Sequence, residues 1–438
     1  MTRSAIFLLA ALAAGSGLLA APRHASAPAV PAAPRVPGPG AVEPPAGATV
    51  ATAAGDLQRL LDDPQGPREV WIKGRVVGDV VVRRPVALRG APGAVLQGSG
   101  HGTVLGIEAD DVLVEDLVVR GSGRRHTAED AGVKAKGARV VVRRLRVEDS
   151  LFGVALGPCP ACRLEDTTVV GPGGEGELRG DGIKLWEAHD AVVRGCRMER
   201  SRDLVVWYSR RVRLEDNEVV GSRYGSHFMY AHDAHVVRGR LVDNVVGVFV
   251  MYSNRVTIED SLLAGARGPA GVGVGFKESD RVELRRNRIV ANTTGAYFDR
   301  TPRSPSEPVV LEQNLLAIND VGFRFHGADE GITLRDNDFH RNAVVAEVEG
   351  GGNALGARFE GNHWSDYAGY DLDGDGQGDV PFEVRRLSGE LTDARPTLRL
   401  FQGTAALLTI DAVAQAVPVL SRQLLLVDRS PRMQRRLP

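Results

Sequence analysis

The chain has 438 residues, with 54 Lys and Arg against 55 Asp and Glu, giving a formal net charge of −1. This balance gives no support to a nucleic-acid partner or to binding at an anionic membrane surface. Only three cysteines occur, so disulfides do not define the fold, while 52 glycines are typical of a chain with many tight turns.

The N-terminus has the organisation of a signal peptide. Arg3 precedes an apolar run over residues 5–21, and residues 25–27 (ASA) resemble an A-x-A cleavage site. Pro28 disfavours cleavage at that point, so a cut near Ala21 is the alternative. The run is short and Ala-rich for a stable membrane anchor. The sequence therefore predicts export, followed by a flexible tether rich in Pro and Ala.

A short helix is predicted over residues 57–63, with Asp56 as its N-cap. Leu57, Leu60 and Leu61 lie on one side of this helix. Such a helix would cover the unpaired edge of the first strands that follow it.

From residue 70 onward the sequence is a series of short β-branched strands separated by Gly, Asn and Asp. Seven strands recur with their last residues 21, 22, 22, 26, 22 and 27 positions apart: GIKLW (182–186), DLVVW (203–207), GSHFM (225–229), GVFVM (247–251), GVGFK (273–277), GAYFD (295–299) and GFRFH (322–326). A step of about 22 residues that tolerates insertions is typical of a solenoid. The sequence therefore predicts an all-β fold, a right-handed parallel β-helix with one coil per repeat.

Strand periodicity assigns a direction to each side chain, because successive residues point to opposite faces. Two apolar columns are predicted to fill the bore: Leu185, Val206, Phe228, Val250, Phe276, Phe298 and Phe325; and Ile183, Leu204, Ser226, Val248, Val274, Ala296 and Phe323. Two asparagine columns are predicted to hydrogen-bond from coil to coil: Asn217, Asn287, Asn314, Asn337 and Asn362; and Asn244, Asn292, Asn319 and Asn342.

Two outward columns form what we call the outer stripe. They are Trp186, Trp207, Met229, Met251, Lys277, Asp299 and His326; and Lys184, Val205, His227, Phe249, Gly275, Tyr297 and Arg324. Exposed apolar surface of this extent marks a partner or ligand site, with Trp186, Trp207 and Phe249 as candidate partner contacts. Insertions at 121–138, 171–181 and 265–271 leave after the same strand of their coils and are predicted to overhang the stripe.

The stripe carries the donors of a soft-metal site. Met229 and Met251 occupy one column in adjacent coils, so their backbones are expected about 4.8 Å apart, a distance that two metal–sulfur bonds of about 2.3 Å can span. His227 points the same way, His232 follows in the turn and His326 lies at the end of the column. Thioether and imidazole together suit Cu(I). The alternative is that the methionines are flexible apolar fillers beneath a loop.

Two other motifs could bind metal. Cys159 and Cys162 form a C-x-x-C on a turn, predicted as a local disulfide with a soft-metal site as the alternative, and Cys196 lies in a different column. Four aspartates with Gly376 match a calcium loop whose twelfth position is Phe382 instead of Glu: Asp371, Asp373, Asp375 and Asp379. A rigid turn without calcium is equally compatible with these residues.

The C-terminal region ends the repeat. Residues 403–417 are predicted to form an amphipathic helix, capped by Thr404 and ended by Pro418, that is too short and polar to span a bilayer. It is either a terminal cap or a segment that docks on a membrane partner. Candidate partner contacts here are Leu400, Phe401 and Leu407.

An enzymatic alternative is a polysaccharide lyase or epimerase, because β-helices host such enzymes and Trp186 and Trp207 could stack on sugars. Glycosidic chemistry needs two carboxylates about 5–10 Å apart. The stripe offers Asp299 alone, with Lys277 one coil away.

Over roughly residues 50–430 the chain resembles the NosD-type maturation factors of nitrous oxide reductase. The resemblance rests on five motifs: HFMYAHD (227–233), GVFVMYSNRV (247–256), GVGFKESD (273–280), GNHWSDYAGYDLDGDGQGDVPF (361–382) and PTLRLFQGTAALLTIDAVAQAVP (396–418). The family-motif positions include Met229, Tyr230, Met251, Tyr252, Lys277 and Glu278.

This resemblance implies a periplasmic protein that is not an enzyme and that handles copper as cargo. The expected partners are the membrane and ATPase subunits of an ABC transporter, a copper-chaperone lipoprotein and nitrous oxide reductase itself. Whether the cargo is copper or sulfur stays open. The predicted segments are a signal peptide (1–27), a Pro/Ala-rich linker (28–47), the β-helix (48–360), an Asp/Gly-rich motif (361–395) and a docking tail with a short helix (396–438).

Overall fold

The computed structural model describes residues 38–40, 42–174, 178–327, 329–349, 353–386, 391, 395–401, 404, 406–407, 409–410, 413 and 423–436. The chain divides into two units, Met1–Ala32 and Ala33–Pro438. The predicted signal peptide and most of the predicted linker lie outside the described residues. The second unit is a right-handed parallel β-helix of about 13 turns with about 23 residues per coil, which confirms the predicted fold class.

Three sheets run along the coils. Sheet A has 16 strands, in spatial order β1 (Val50–Ala51), β2 (Glu69–Ile72), β5 (Ala87–Gly90), β8 (Leu113–Glu115), β11 (Val141–Arg143), β14 (Arg163–Glu165), β17 (Val192–Arg194), β20 (Arg213–Glu215), β23 (His235–Val237), β26 (Asn254–Glu259), β29 (Asp280–Arg285), β32 (Val309–Glu312), β35 (Ile332–Arg335), β38 (Arg358–Glu360), β41 (Gln423–Asp428) and β40 (Phe382–Arg386). The β40–β41 pair is antiparallel, whereas the other pairs are parallel.

Sheet B has 13 strands: β3 (Arg75–Val77), β6 (Val95–Gln97), β9 (Val118–Arg120), β12 (Arg146–Glu148), β15 (Thr168–Val170), β18 (Arg197–Glu199), β21 (Glu218–Val220), β24 (Arg240–Val242), β27 (Leu262–Ala264), β30 (Arg288–Val290), β33 (Leu315–Ala317), β36 (Asp338–His340) and β39 (His363–Trp364). Sheet C has 12 strands: β4 (Val80–Val82), β7 (Leu105–Ile107), β10 (Ala131–Ala135), β13 (Phe152–Leu156), β16 (Ile183–Trp186), β19 (Asp203–Trp207), β22 (Tyr224–Met229), β25 (Val246–Met251), β28 (Val272–Lys277), β31 (Thr294–Asp299), β34 (Val321–His326) and β37 (Val344–Glu349).

The bore is filled as the sequence predicts. The residues of both predicted inward columns are at most 1% exposed. The columns are in register from β16 to β34, apart from an irregularity between Asp203 and Val205 where β19 pairs with β22. Towards the C-terminal end the column becomes aromatic, and the rings of Phe276, Phe298 and Phe325 follow one another at 5.3 and 5.1 Å between centroids. Burial of these columns supplies the hydrophobic stabilisation that holds the coils together.

Both asparagine columns are present, and each contains a continuous ladder. In the first, each Nδ2 donates to the Oδ1 of the next asparagine at 3.0 Å from Asn287 through Asn314 and Asn337 to Asn362. In the second, Asn292, Asn319 and Asn342 are linked at 3.1 and 2.9 Å. These ladders satisfy buried turn groups that water cannot reach.

The N-terminal helix α1 spans Ala54–Asp62. The predicted cap at Asp56 is wrong: Ala53 is the N-cap, without a side-chain hydrogen bond, and Asp56 lies in the first turn beside Arg59. The predicted covering role is confirmed by Gln58, whose side chain bonds to the N–H and the C=O of Val81 at 2.9 and 3.0 Å. The main-chain groups of Val80 and Val82 bond to the following coil. The N–H and C=O of Val81 therefore point to the open end of the β-helix.

At the C-terminal end, Asp428 of β41 continues the asparagine ladder by accepting the Nδ2 of Asn362 at 2.9 Å, and Phe382 stacks on Trp364 with centroids 4.6 Å apart. One 3-10 helix spans Pro396–Phe401. Much of the predicted helix over 403–417 lies outside the described residues, although residues 406–407, 409–410 and 413 are helical. Within the part of the chain that is described, no helix has both the length and the apolar character needed to cross a membrane.

Candidate metal centre

The outer stripe lies on the outward face of sheet C. Its first column is in register from coil to coil through Trp186, Trp207, Met229, Met251, Lys277, Asp299 and His326. Met229 and Met251 are half-buried and point away from the bore. The two methionines are therefore direct neighbours on one accessible surface.

His227 completes the donor set. Its Nε2 lies 3.3 Å from the Sδ of Met251 on the next coil, although its register partner is Phe249. The imidazole is 7% exposed. It stacks on Tyr224 at 4.6 Å and meets the edge of Trp207 at 5.6 Å between centroids. One imidazole and one thioether thus meet on sheet C, with Met229 in register beside Met251.

Burial keeps this imidazole neutral. Removal from water lowers the pKa of His227 to about 4, and the nearby carboxylate of Asp203 opposes this shift only in part. The neutral form is the one that binds metals. Among the described residues, the buried Nδ1 has no hydrogen-bond partner, and its nearest carboxylate oxygen is Asp203 Oδ2 at 3.9 Å.

Asp203 is fixed where it can orient the ring. It is fully buried and accepts the Nε of Arg223 at 3.0 Å and the backbone N–H of Tyr224 at 3.3 Å. When the Nε2 of a histidine binds a metal, the Nδ1 carries the proton and usually donates it to such an acceptor. The pair Asp203–His227 therefore has the composition of a carboxylate–imidazole–metal arrangement.

The neighbouring part of the stripe is an aromatic box around a lysine. The Nζ of Lys184 lies 5.2 and 5.7 Å from the ring centroids of Trp186 and Trp207, and it pairs with Glu129. Glu129 belongs to the first insertion, and Nε2 of His126 in the same loop donates to the Leu178 carbonyl at 3.1 Å. The part of the predicted insertion before residue 131 therefore reaches over the stripe, whereas residues 131–135 form the regular strand β10 and are wrongly included in it.

A tyrosine ladder borders the donors, a feature that the strand columns of the sequence do not predict. Tyr208, Tyr230 and Tyr252 stack at 5.2 and 5.1 Å with 16° between ring planes. Each follows directly on Trp207, Met229 or Met251. The signal was present in their regular 22-residue spacing. Tyr208 and Tyr230 are exposed.

One predicted copper ligand, His326, lies away from this cluster. His326 is three coils beyond Met251, about 14 Å at 4.8 Å per coil, and its Nδ1 is 2.8 Å from Glu349. In the column between Met251 and His326, Lys277 forms a 2.8 Å ion pair with Asp299. His232 lies in the turn after β22, bridged to neighbouring coils by its backbone. The structure therefore does not bring His326 to the methionines, and copper binding at His232 stays a prediction.

The other predicted partner contacts have mixed surroundings. Trp186, Trp207 and Phe249 are half-buried, Phe401 is 53% exposed and Leu407 is buried. The side chain of Leu400 lies outside the described part of the chain. Partner contact at these residues stays a prediction.

The aspartate loop is compact. Donor oxygens of Asp371, Asp373 and Asp375 lie within 4.8 Å of one another. Asp371 accepts the backbone N–H of Gly374 and Gly376 at 2.7 and 2.9 Å, whereas Asp379 accepts that of Leu372 at 2.7 Å. Hydrogen bonding to the Gly376 N–H lowers the pKa of Asp371. These bonds fit a rigid turn, and the calcium prediction stays untested.

The predicted local disulfide is present. Cys159 and Cys162 form a disulfide. Cys196 is a buried free thiol, and burial raises its pKa to about 12. The soft-metal alternative for the C-x-x-C is therefore not supported.

Comparison with known proteins decides the family. The family model described as periplasmic copper-binding protein (NosD) matches residues 163–369. The probable ABC transporter binding protein NosD of Pseudomonas aeruginosa strain PAO1 is 30% identical over 361 residues, which cover 79% of this chain and 83% of the relative. The chain belongs to the NosD family. A second NosD, from Stutzerimonas stutzeri, is 32% identical over 133 residues, 30% of each chain.

The NosD family model covers β14 to β39 and so includes the whole donor cluster. The names of the family and of its relatives describe binding and not catalysis. Among solved structures, the A-module of the Azotobacter vinelandii mannuronan C-5 epimerase AlgE6 matches with a TM-score of 0.51 and 14% identity, covering 72% of this chain and 96% of the module. At that identity the likeness shows the β-helix fold alone.

Proposed function

We propose that this NosD-family protein handles Cu(I) in the periplasm during assembly of the copper centre of nitrous oxide reductase, in association with an ABC transporter. The observation that carries the proposal is the 3.3 Å contact between His227 Nε2 and Met251 Sδ, with Met229 in register beside it. The family's description as copper-binding supports the choice of metal.

The donor types favour Cu(I) over harder ions. Thioether sulfur and neutral imidazole are ligands for soft copper, whereas Mg and Ca prefer oxygen. A separation of 3.3 Å allows His227 Nε2 and Met251 Sδ to reach one ion, because bonds of about 2.0 and 2.3 Å sum to about 4.3 Å. Met229 supplies a third donor from the neighbouring coil.

The charges along the stripe limit where copper can travel. Lys277 follows Met251 in the same column and presents an ammonium group that repels a cation. The soft thioether donors therefore lie on β22 and β25 alone among the described strands of the stripe. His326 would meet copper only beyond the Lys277–Asp299 ion pair, so we place the principal site at His227, Met229 and Met251.

The surroundings of the site suit transient docking of protein partners. Exposed Tyr208 and Tyr230 with half-buried Trp186 give the aromatic composition that is enriched at interfaces. The copper-chaperone lipoprotein and the reductase are the partners proposed for this face. Phe401, exposed in the C-terminal tail, is proposed to contact the transporter.

The test is a Cu(I) competition titration of the purified protein under reducing conditions. Met229→Leu and Met251→Leu are expected to weaken binding by on the order of 10-fold or more each, since each removes one ligand. Met198→Leu is the matched control, because that methionine is fully buried in the bore. Unchanged stoichiometry and affinity of Cu(I) binding in both stripe variants would show that Met229 and Met251 are not copper ligands.

The carbohydrate alternative has one supporting feature, the half-buried Trp186 on an accessible sheet. Its predicted carboxylate, Asp299, is engaged by Lys277 at 2.8 Å. This alternative predicts binding to an acidic polysaccharide with indifference to copper.

A further inference from the structure

The backbone conformation of Gly275 does not require glycine. It occupies an outward position of β28 with an ordinary extended backbone, outside the left-handed region. In the same column, most coils carry a side chain: Val81, Lys134, Ala155, Lys184, Val205, His227, Phe249, Tyr297 and Arg324. Glycine at this position therefore leaves space on the outer face of β28 that another group can occupy.

The ring of Phe249 fills that space. A Cβ built on Gly275 would lie 2.4 Å from Cε2 and 2.6 Å from Cδ2 of Phe249, closer than non-bonded carbons approach. Phe249 is the register partner of Gly275 on one side and of His227 on the other. Its ring therefore lies over Gly275 of β28.

This position of the ring leaves His227 free to cross to the next coil. The imidazole reaches past its own register partner, Phe249, to contact Met251. A phenylalanine ring turned back over β22 would meet Tyr224, whose centroid already lies 6.0 Å away, and the imidazole stacked on Tyr224. The His227–Met251 contact and the vacancy at Gly275 thus depend on the same rotamer of Phe249.

We infer that Gly275 is a positioning residue of the copper site, acting through Phe249 to keep His227 and Met251 in contact. The inference rests on the proposed function, because it concerns the ligands of that site. An alanine at position 275 displaces the ring, and the displaced ring separates the imidazole from the thioether.

The test compares four variants by Cu(I) competition titration: Gly275→Ala, Phe249→Ala, the double variant and Gly106→Ala. Gly106 is the matched control, because it lies in the same outward column and a Cβ there would meet Val81 at 3.4 Å, an ordinary contact. Methyl NMR of the methionines in the copper-free protein reports the surroundings of Met251 without any metal, and thermal unfolding reports the fold.

Gly275→Ala is expected to weaken Cu(I) binding on the order of 10-fold, as loss of a supporting contact does at metal sites, and to shift the Met251 methyl resonance. The double variant should recover most of the affinity, since without the Phe249 ring nothing is displaced, and Gly106→Ala should bind as the parent does. Full affinity in Gly275→Ala while Met251→Leu is weakened would overturn this inference and leave the proposed function standing. A loss that persists in the double variant would also overturn it. Full affinity in both Gly275→Ala and Met251→Leu would overturn the proposed function as well.

Discussion

The Nε2 of His227 lies 3.3 Å from the Sδ of Met251, although the two residues are 24 positions apart in the chain. The contact is diagonal, because it joins one coil to the next and also advances two residues along the strand. A solenoid makes such contacts by stacking equivalent positions, so residues from different repeats become neighbours. Several measurable consequences follow from this site and from the ladders around it.

The first prediction concerns pH. The pKa of His227 falls from 6.5 to about 4 on folding because the ring is buried. Below pH 6.5 the unfolded chain takes up a proton that the folded protein does not. The stability gained from the neutral ring is therefore complete above pH 6.5 and is lost as pH falls to about 4, a difference of about 3 kcal/mol.

Unfolding free energies measured at pH 7 and pH 4.5 check this prediction. His227→Gln, which cannot take up the proton, should lose less stability over that interval than the parent protein. An NMR titration should place the imidazole midpoint near pH 4. A midpoint near 6.5 would contradict the burial argument.

The second prediction concerns Asp203. Asp203→Asn leaves Arg223 without its carboxylate and removes the acceptor nearest to His227 Nδ1. We expect a loss of about 2 kcal/mol in the free energy of unfolding, since hydrogen bonds to charged groups contribute about 1.5–3 kcal/mol. Asp190→Asn is the matched control, because Asp190 and Arg211 form a similar pair with both side chains about half exposed. Such a pair contributes about 0–1 kcal/mol. Equal effects in the two variants, measured by chemical denaturation, would count against the role of Asp203.

The sequence predicts the fold and the columns because two periods agree. The alternation of strand residues and the 22-residue repeat together place Phe228 and Phe298 inside and Met229 and Met251 outside. Neither period specifies rotamers, so the sequence pairs His227 with Phe249 and cannot show that the imidazole crosses to Met251. It also places His326 in the correct column but does not weigh the three coils that separate it from Met251.

The helix start shows a different limit. Ala53 and Ala54 carry no side chain able to cap, so the sequence favours Asp56, three residues after the true N-cap. Here the position of the helix is determined by tertiary contacts, with Leu57 and Leu61 buried and Gln58 bonded to Val81. Local capping rules do not include such contacts.

The third prediction concerns the asparagine ladder. Asn314 is fully buried, accepts the N–H and Nδ2 of Asn287, and donates to Asn337 and to the Leu284 carbonyl. Asn314→Ala leaves several of these groups unsatisfied, and each costs about 1–3 kcal/mol. We expect a loss of at least about 3 kcal/mol in the free energy of unfolding.

The matched control for that loss is Asn353→Ala. Asn353 is exposed, and its side chain accepts the Leu355 N–H. This variant should lie within about 0.5 kcal/mol of the parent. A small effect at Asn314 would mean that water or a rearranged turn replaces the ladder.

The fourth prediction concerns thiol chemistry. Burial raises the pKa of Cys196 to about 12, and the thiolate is the reactive form. The folded protein should therefore resist alkylation, while the denatured protein should gain one label, and the denatured and reduced protein three. Mass spectrometry counts the labels. Three labels on the denatured, unreduced protein would argue against the Cys159–Cys162 bond.

The contact between Gln58 and Val81 also bears on self-association. A rod of stacked coils could in principle lengthen without limit, with one molecule adding its end to the next. The carboxamide of Gln58 already bonds to the two main-chain groups of β4 that point to the open end, the N–H and C=O of Val81. An approaching copy therefore finds no free hydrogen-bonding group on this strand. One glutamine side chain thereby opposes the addition of another strand to sheet C at this end of the rod.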